Sequence, residues 1–306
     1  MIRNFFIGLP SGMKLILSII IVILFFLSVF FVSLLAAIPI FGIGIDELAT
    51  AMSIDGNIDF LRYMQIMQFF SLFIIPSFIV AYIFSKKPIK FLSLDISPKL
   101  IYAGLAIVLI ITALPLINFL SEINSQMQLP EFMSGIEAWM RASEDNTGVL
   151  IKKLLTVNTF GGLMLNIFMI AVLPAIGEEL LFRGIIQKYL TLIFKNAHVG
   201  IIVAAFLFSA FHMQFYGFIP RMLLGMLLGY MLLWSKSLWV PIIAHFTNNA
   251  IAVVTYYYIS KGAINEDVET FGSDGQATIF ALISFALVGT VVYIFHKLKK
   301  DKYSEI

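Results

Sequence analysis

The feature that most constrains this chain is a succession of apolar runs, several of about 20 residues with no Asp, Glu, Lys or Arg inside them. Such runs carry too little polar surface to face water, and a bilayer is their natural solvent. Eight segments qualify, at 15–38, 64–84, 101–120, 160–177, 199–211, 218–234, 238–259 and 277–295. Composition agrees: 60% of the 306 residues are hydrophobic and 12% are charged, against about 45–50% and about 25% in soluble domains. The expected fold is all-α, a polytopic transmembrane helix bundle of about eight spans in a single integral membrane domain over residues 1–306. The first run is longer than a signal-peptide core and lacks a small-x-small cleavage site, so a retained span is expected there.

Charge placement sets an expected orientation. Arg3 and Lys14 precede the first span, and Lys86, Lys87, Lys90 and Lys99 follow the second against only Asp95. Lys188 and Lys195 follow the fourth, Lys236 the sixth, and Lys297, Lys299, Lys300 and Lys302 the last. The intervening loops are acidic, with Asp46, Glu47, Asp55 and Asp59 in the first and Glu266, Asp267, Glu269 and Asp274 in the seventh. Both termini are therefore expected in the cytoplasm. A net charge of +2 says nothing about nucleic acid, and without a basic stripe with interleaved aromatics no nucleic-acid partner is expected. With no cysteine, disulfides and thiolate-bound metals are excluded.

One region is neither span nor short loop. Between spans three and four, the mixed stretch 131–142 with Trp139 and Met140 predicts an interfacial helical segment.

Ionisable groups inside a bilayer cost about 2.5–3.5 kcal/mol each on insertion scales, so they are functional candidates by default. Here they gather in one third of the chain: Glu178, Glu179, Arg183, His212, Arg221 and His245, with Asn248 and Asn249. Glu179 and Arg183 are four residues apart, share a helix face and can pair. Glu178 lies about 100° round the helix and is left to meet another span. Phe208 and His212, and His245 and Asn249, repeat the same spacing. A carboxylate beside imidazoles in a dry pocket is a general-base arrangement. A His and an Asn on one face can donate to an oxyanion. Two His and a Glu can equally hold Zn²⁺, with Glu178, His212 and His245 as the ligands. The residues permit both chemistries, and they also permit interhelical glue or a proton relay. Arg221 is expected to snorkel toward the outer interface and is left out of the site.

The segment Glu178-Glu179-Leu180-Leu181-Phe182-Arg183 resembles the EExxxR motif of the CPBP family of intramembrane proteases, the CAAX endopeptidases and bacteriocin-processing enzymes also called Abi. Phe208 to His212 resembles the family's FxxxH motif, and His245 to Asn249 its HxxxN motif. All three stand in family order, about 30 residues apart, and the resemblance covers roughly 160–260, with 1–120 as additional N-terminal spans. It implies an intramembrane endopeptidase acting on membrane-associated, lipidated or leader peptides, in which Glu178 activates water with His212 assisting. His245 and Asn249 would stabilise the oxyanion, and Glu179 would pair with Arg183. The family has been described both as metalloproteases and as glutamate-dependent peptidases without an obligatory metal, and no HExxH motif decides between them. A prokaryotic plasma membrane is the expected location.

Two other classes compete: a non-catalytic immunity or scaffold factor, and an ion-coupled transporter that uses the Glu and His set as a relay. No repeated half with paired broken helices supports the transporter. One inconsistency concerns depth. Glu178 and His212 lie about 20–25 Å and about 20 Å from their cytoplasmic helix ends, whereas His245 lies only about 10–13 Å from Lys236, at 1.5 Å per residue. His245 is thus expected too shallow, unless the 234–239 turn dips into the bundle or Pro174 bends the fourth helix.

Overall fold

A backbone inside hydrocarbon has no water to bond, so an apolar run must satisfy its own N–H and C=O groups as a helix. The computed structural model describes residues 2–53, 56–265 and 277–300, and every element among them is helical. The long helices are α1 (Ser11–Phe41), α2 (Ile58–Phe84), α3 (Leu100–Ser125), α4 (Ser134–Leu155), α5 (Phe160–Phe194), α6 (Ala197–Phe211), α7 (Phe218–Ser235), α8 (Trp239–Ser260) and α9 (Ala277–Lys300). Asp55, Glu266, Asp267, Glu269, Asp274 and Lys302, on which part of the orientation argument rests, lie outside the described residues.

The chain is an all-α polytopic membrane protein. Among the described residues six helices, α1, α2, α3, α5, α7 and α9, are long and apolar enough to cross a bilayer. The expected count of eight is not confirmed by that measure. The other two expected segments are helical but atypical: α6 is apolar and only 15 residues long, and α8 has 22 residues but carries His245, Asn248 and Asn249 in its middle.

α5 runs through the centre of the bundle and α1 along its outside. Around α5 pack Phe73 of α2, Phe208 of α6, and Leu238 and Ile242 at the start of α8. A second core joins α3, α7, α8 and α9 through Ile110, Leu228, Val240 and Phe295. Two wider, π-type turns interrupt α5, at Ile167–Val172 and Phe182–Gln187, and they flank the Glu pair. Such turns re-aim side chains along an otherwise regular helix.

The mixed stretch after α3 is helical, but as a longer element than expected: a single tight turn at Glu131–Met133 leads into α4. Glu137 in its first turn and Lys152 and Lys153 in its last complement the helix dipole. α4 is tied down at both ends. Near its N-terminal half, Trp139 packs on Phe215, Arg141 covers the Tyr216 ring, and the Tyr216 N–H donates to Glu144. At its C-terminal end, Lys153 donates to Gly56 O and Asn166 donates to Leu155 O.

Small residues let α5, α6 and α7 approach closely, as the GxxxG spacing of Gly225 and Gly229 suggests. A Cβ on Gly225 would stand 3.3 Å from the Ala205 backbone, and one on Gly200 would stand 2.8 Å from Thr191 N. Arg183 and Gln187 donate to the carbonyls of Gly225 and Gly229. Gly200→Ala is therefore expected to destabilise the detergent-solubilised protein by about 1–3 kcal/mol. Gly104→Ala, where an added Cβ meets nothing within 4 Å, should be neutral. Thermal unfolding of the two variants side by side checks this, and equal melting would contradict the close approach.

Candidate active site

The site grows from α5. Arg183 Nη1 donates to Glu179 Oε1 at 2.8 Å, one helical turn apart, and both side chains are at most 1% exposed. The guanidinium also donates from Nη2 to Gly225 O at 3.1 Å and lies over the Phe208 ring at 4.4 Å. The same Glu179 Oε1 receives His245 Nδ1 of α8 at 2.9 Å. One carboxylate thus joins α5 to α8 directly and, through Arg183, to α7.

Glu178 faces the other way. Its Oε2 lies 3.9 Å from His212 Nε2 and 3.9 Å from His245 Nε2. That is beyond hydrogen-bond length, and this oxygen is buried with no hydrogen-bond partner. His212 follows the last residue of α6, and its Nδ1 sits 2.8 Å from Phe208 O. A carbonyl only accepts, so Nδ1 carries the proton and Nε2 is left as an acceptor toward Glu178. His245 Nδ1 likewise donates to Glu179. Phe208 packs its ring 5.0 Å from His212 and 6.0 Å from His245, which gives the FxxxH spacing a physical meaning.

Asn249 points its amide into the same region. Its Nδ2 donates to Ile170 O, within the first wide turn of α5, and its Oδ1 receives Asn248 Nδ2. All six candidate residues are therefore close together, with Glu179 and Arg183 sealed behind Glu178 and the two imidazoles.

Two cavities meet here. One, of about 460 Å³, is lined largely by apolar residues of α1, α2 and α4, including Phe30, Phe60, Met64, Phe69 and Phe73. The other, of about 390 Å³, is also lined mainly by apolar residues, among them Ile117, Ile170 and Leu224, but Arg221, His245, Asn248 and Asn249 reach into it. Glu178, His212 and Ile151 line both.

His245 stands level with Glu178 and His212, contrary to the shallow position expected from counting residues. The turn before α8 is not at the surface. Ser237 and Leu238 are 1% and 0% exposed. The segment after α2 folds over them, with Leu238 N donating to Ser93 O, Ser237 Oγ to Ile96 O and Trp239 Nε1 to Leu94 O. α8 therefore starts inside the bundle. Arg221 also departs from expectation. It lines the second cavity beside Glu178 and bonds to Gln214, where snorkelling away from the site was expected. A charge inside an apolar run was the signal for it, and the lack of motif spacing hid it.

Residues 160–251 match the family model described as Type II CAAX prenyl endopeptidase Rce1-like, the stretch that holds all three motifs. The chain is also 30% identical over 111 residues to an uncharacterized protein, YpbD, of Bacillus subtilis (strain 168). That alignment covers 34% of this chain and 54% of YpbD, so the chain spans about half the length of the curated relative it matches. No solved structure matches. The resemblance expected from the motifs is thus found, on the segment that carries them.

Glu179→Gln would leave Arg183 buried beside a neutral amide. Removing one member of a buried pair costs about 3–5 kcal/mol. This variant should therefore unfold at clearly lower temperature than Glu178→Gln, whose carboxylate has no partner to strand. Thermal denaturation in detergent tests the ordering, and Glu178→Gln melting lower would contradict the division of roles.

Proposed function

We propose that this protein is an intramembrane endopeptidase in which Glu178 activates a water for attack on a peptide carbonyl. The observation that carries the reading is the buried, unbonded Glu178 Oε2 facing two imidazole Nε2 atoms at 3.9 Å each. One water fits a gap of that width, bonded to both the carboxylate and an imidazole. The family match over 160–251 supports the peptidase chemistry.

In this mechanism the water loses its proton to Glu178 as its oxygen attacks the carbonyl carbon. His212, with Nε2 free as an acceptor, orients the water. The tetrahedral oxyanion takes a hydrogen bond from His245 Nε2 when that ring carries both protons, and the Glu179 carboxylate at Nδ1 balances the charge. Asn249 has one amide N–H held by Ile170 O and the other available as a second donor. Glu178 then returns its proton to the leaving amine.

The donor set also suits Zn²⁺. Glu178, His212 and His245 would hold it, and both rings are already oriented through Nδ1 in the manner of zinc-ligating imidazoles. As placed, the 3.9 Å separations exceed the ~3.4 Å edges of a tetrahedral zinc site, and among the described residues no three such side chains are close enough to hold an ion without moving. A bound ion would supply Lewis acidity and a more acidic water.

The apolar cavity beside Glu178 supports a membrane-associated, lipidated or leader peptide as substrate. The basic segments support cytoplasmic termini, and the bacterial relative supports a prokaryotic plasma membrane.

Purified protein should cleave a membrane peptide, and Glu178→Gln should lower the rate by about 10²-fold or more, with folding verified by thermal shift. Undiminished cleavage by that variant would remove Glu178 from the mechanism. Metal content of the active protein separates the two chemistries. Stoichiometric zinc, with loss of activity on chelation, identifies the metal form; full activity without metal identifies the carboxylate form.

A further inference from the structure

The second cavity holds a cation that the mechanism does not use. Arg221 sits near the start of α7, a helix otherwise apolar enough to cross a bilayer. A guanidinium in such a helix is costly and rarely lacks a role. Its hydrogen bonds go to neutral acceptors on one residue, from Nη1 to Gln214 O at 3.1 Å and from Nη2 to Gln214 Oε1 at 2.7 Å. Among the described residues no carboxylate lies within 4.0 Å of it, although Glu144 and Glu178 attract it from farther off. Arg183 makes the contrast. That cation has a carboxylate, a carbonyl and an aromatic face, and is sealed from both cavities. Arg221 has five N–H donors, two of them used, and its side chain lines a cavity that opens onto Glu178. Gly217 leaves it room, since a Cβ there would lie 3.0 Å from Nη2.

Both cavities are mainly apolar, but only the second is lined by a permanent cation, Arg221, and the line between them passes through Glu178 and His212. A peptide whose scissile bond lies at Glu178 would have one flank in a chamber without a cation and the other beside Arg221. Arg is the side chain best suited to a carboxylate, because its planar fork matches the two oxygens. We infer that Arg221 is a specificity-determining residue that receives a carboxylate on the substrate flank occupying the cavity it lines. The inference rests on the peptidase reading for the word substrate, and its test does not need turnover. The carboxylate has two possible sources, the free C-terminus of the peptide or an Asp or Glu side chain within it.

The test uses fluorescently labelled apolar hexapeptides of mixed Leu, Val, Ala and Phe sequence. Three forms are made: a free C-terminal acid, a C-terminal amide, and an amide carrying one internal Glu. Binding to full-length detergent-solubilised Glu178→Gln protein is read by anisotropy, and cleavage by the wild-type protein is scored separately. At least one carboxylate form should bind on the order of 10-fold more tightly than the plain amide. Arg221→Gln, added to the same background, should abolish that preference and leave amide binding unchanged. Whichever carboxylate form shows the preference identifies the source. Arg221→Lys keeps the charge without the fork and should retain only part of the preference. It also serves as the test variant if Arg221→Gln does not fold. Equal behaviour of all three peptides, bound or unbound, overturns the inference. So does a loss in Arg221→Gln that is as large for the amide as for the acids. A carboxylate preference without any wild-type cleavage would leave Arg221 as an anion-binding residue and would sink the peptidase reading alone.

Discussion

The bundle is organised around one buried carboxylate. Glu179, fully removed from solvent, accepts from Arg183 one turn along its own helix and from His245 on α8. Arg183 carries the link on to a backbone carbonyl of α7 and to the ring of Phe208 on α6. Four helices are held in rotational register by this network. In a medium that gives no hydrophobic reward for one helix packing on another, polar contacts and close packing of small residues must do that work. The cost of burying charge is offset in part: both bonds fall on Glu179 Oε1, while its Oε2 is buried without a hydrogen-bond partner.

Register then makes the chemistry possible. Glu178 and Glu179 are adjacent in sequence but point to different surroundings, one to a closed ion pair and one to a junction of two cavities. His245 is shared between them, with Nδ1 on Glu179 and Nε2 toward Glu178. Its orientation at the cavity is thus set by the same group that fixes the helices. α4 completes the enclosure from the side, bringing Ile151 against both cavities and anchoring its ends to the loops around Gly56 and Tyr216.

Much of this was legible from residue type and spacing. The pairing of Glu179 with Arg183 and the separate fate of Glu178 follow from the angular geometry of one helix. The convergence of His212 and His245 on Glu178 was expected from the order of the motifs. Features that depend on non-local burial were not readable. The depth of His245 depends on Ser237 and Leu238 being covered by residues 93–96, contacts across more than 140 positions. The place of Arg221 depends on the rotation of α7 and on Gln214 in the preceding turn. The length of α4 was underestimated because its apolar residues beyond 142, Leu150, Ile151 and Leu154 among them, face the bundle without forming a continuous run. The count of spans was blurred by α6, too short, and α8, too polar, both modified by the residues that make the site.

The 35 residues of α5 have a further consequence. At 1.5 Å per residue the helix is about 50 Å long, while the hydrocarbon layer is about 30 Å thick. It must tilt or overhang the layer at one or both ends. Glu178 stands 18 positions after Phe160 and 16 before Phe194, so tilt, or an overhang shared between the two ends, leaves it near mid-depth. The proposed hydrolysis, at that depth, would have no bulk water to draw on. Cavities that admitted a peptide would then also be the conduit for the water consumed, and a ligand that plugged both would stop the reaction by drought without touching a catalytic atom.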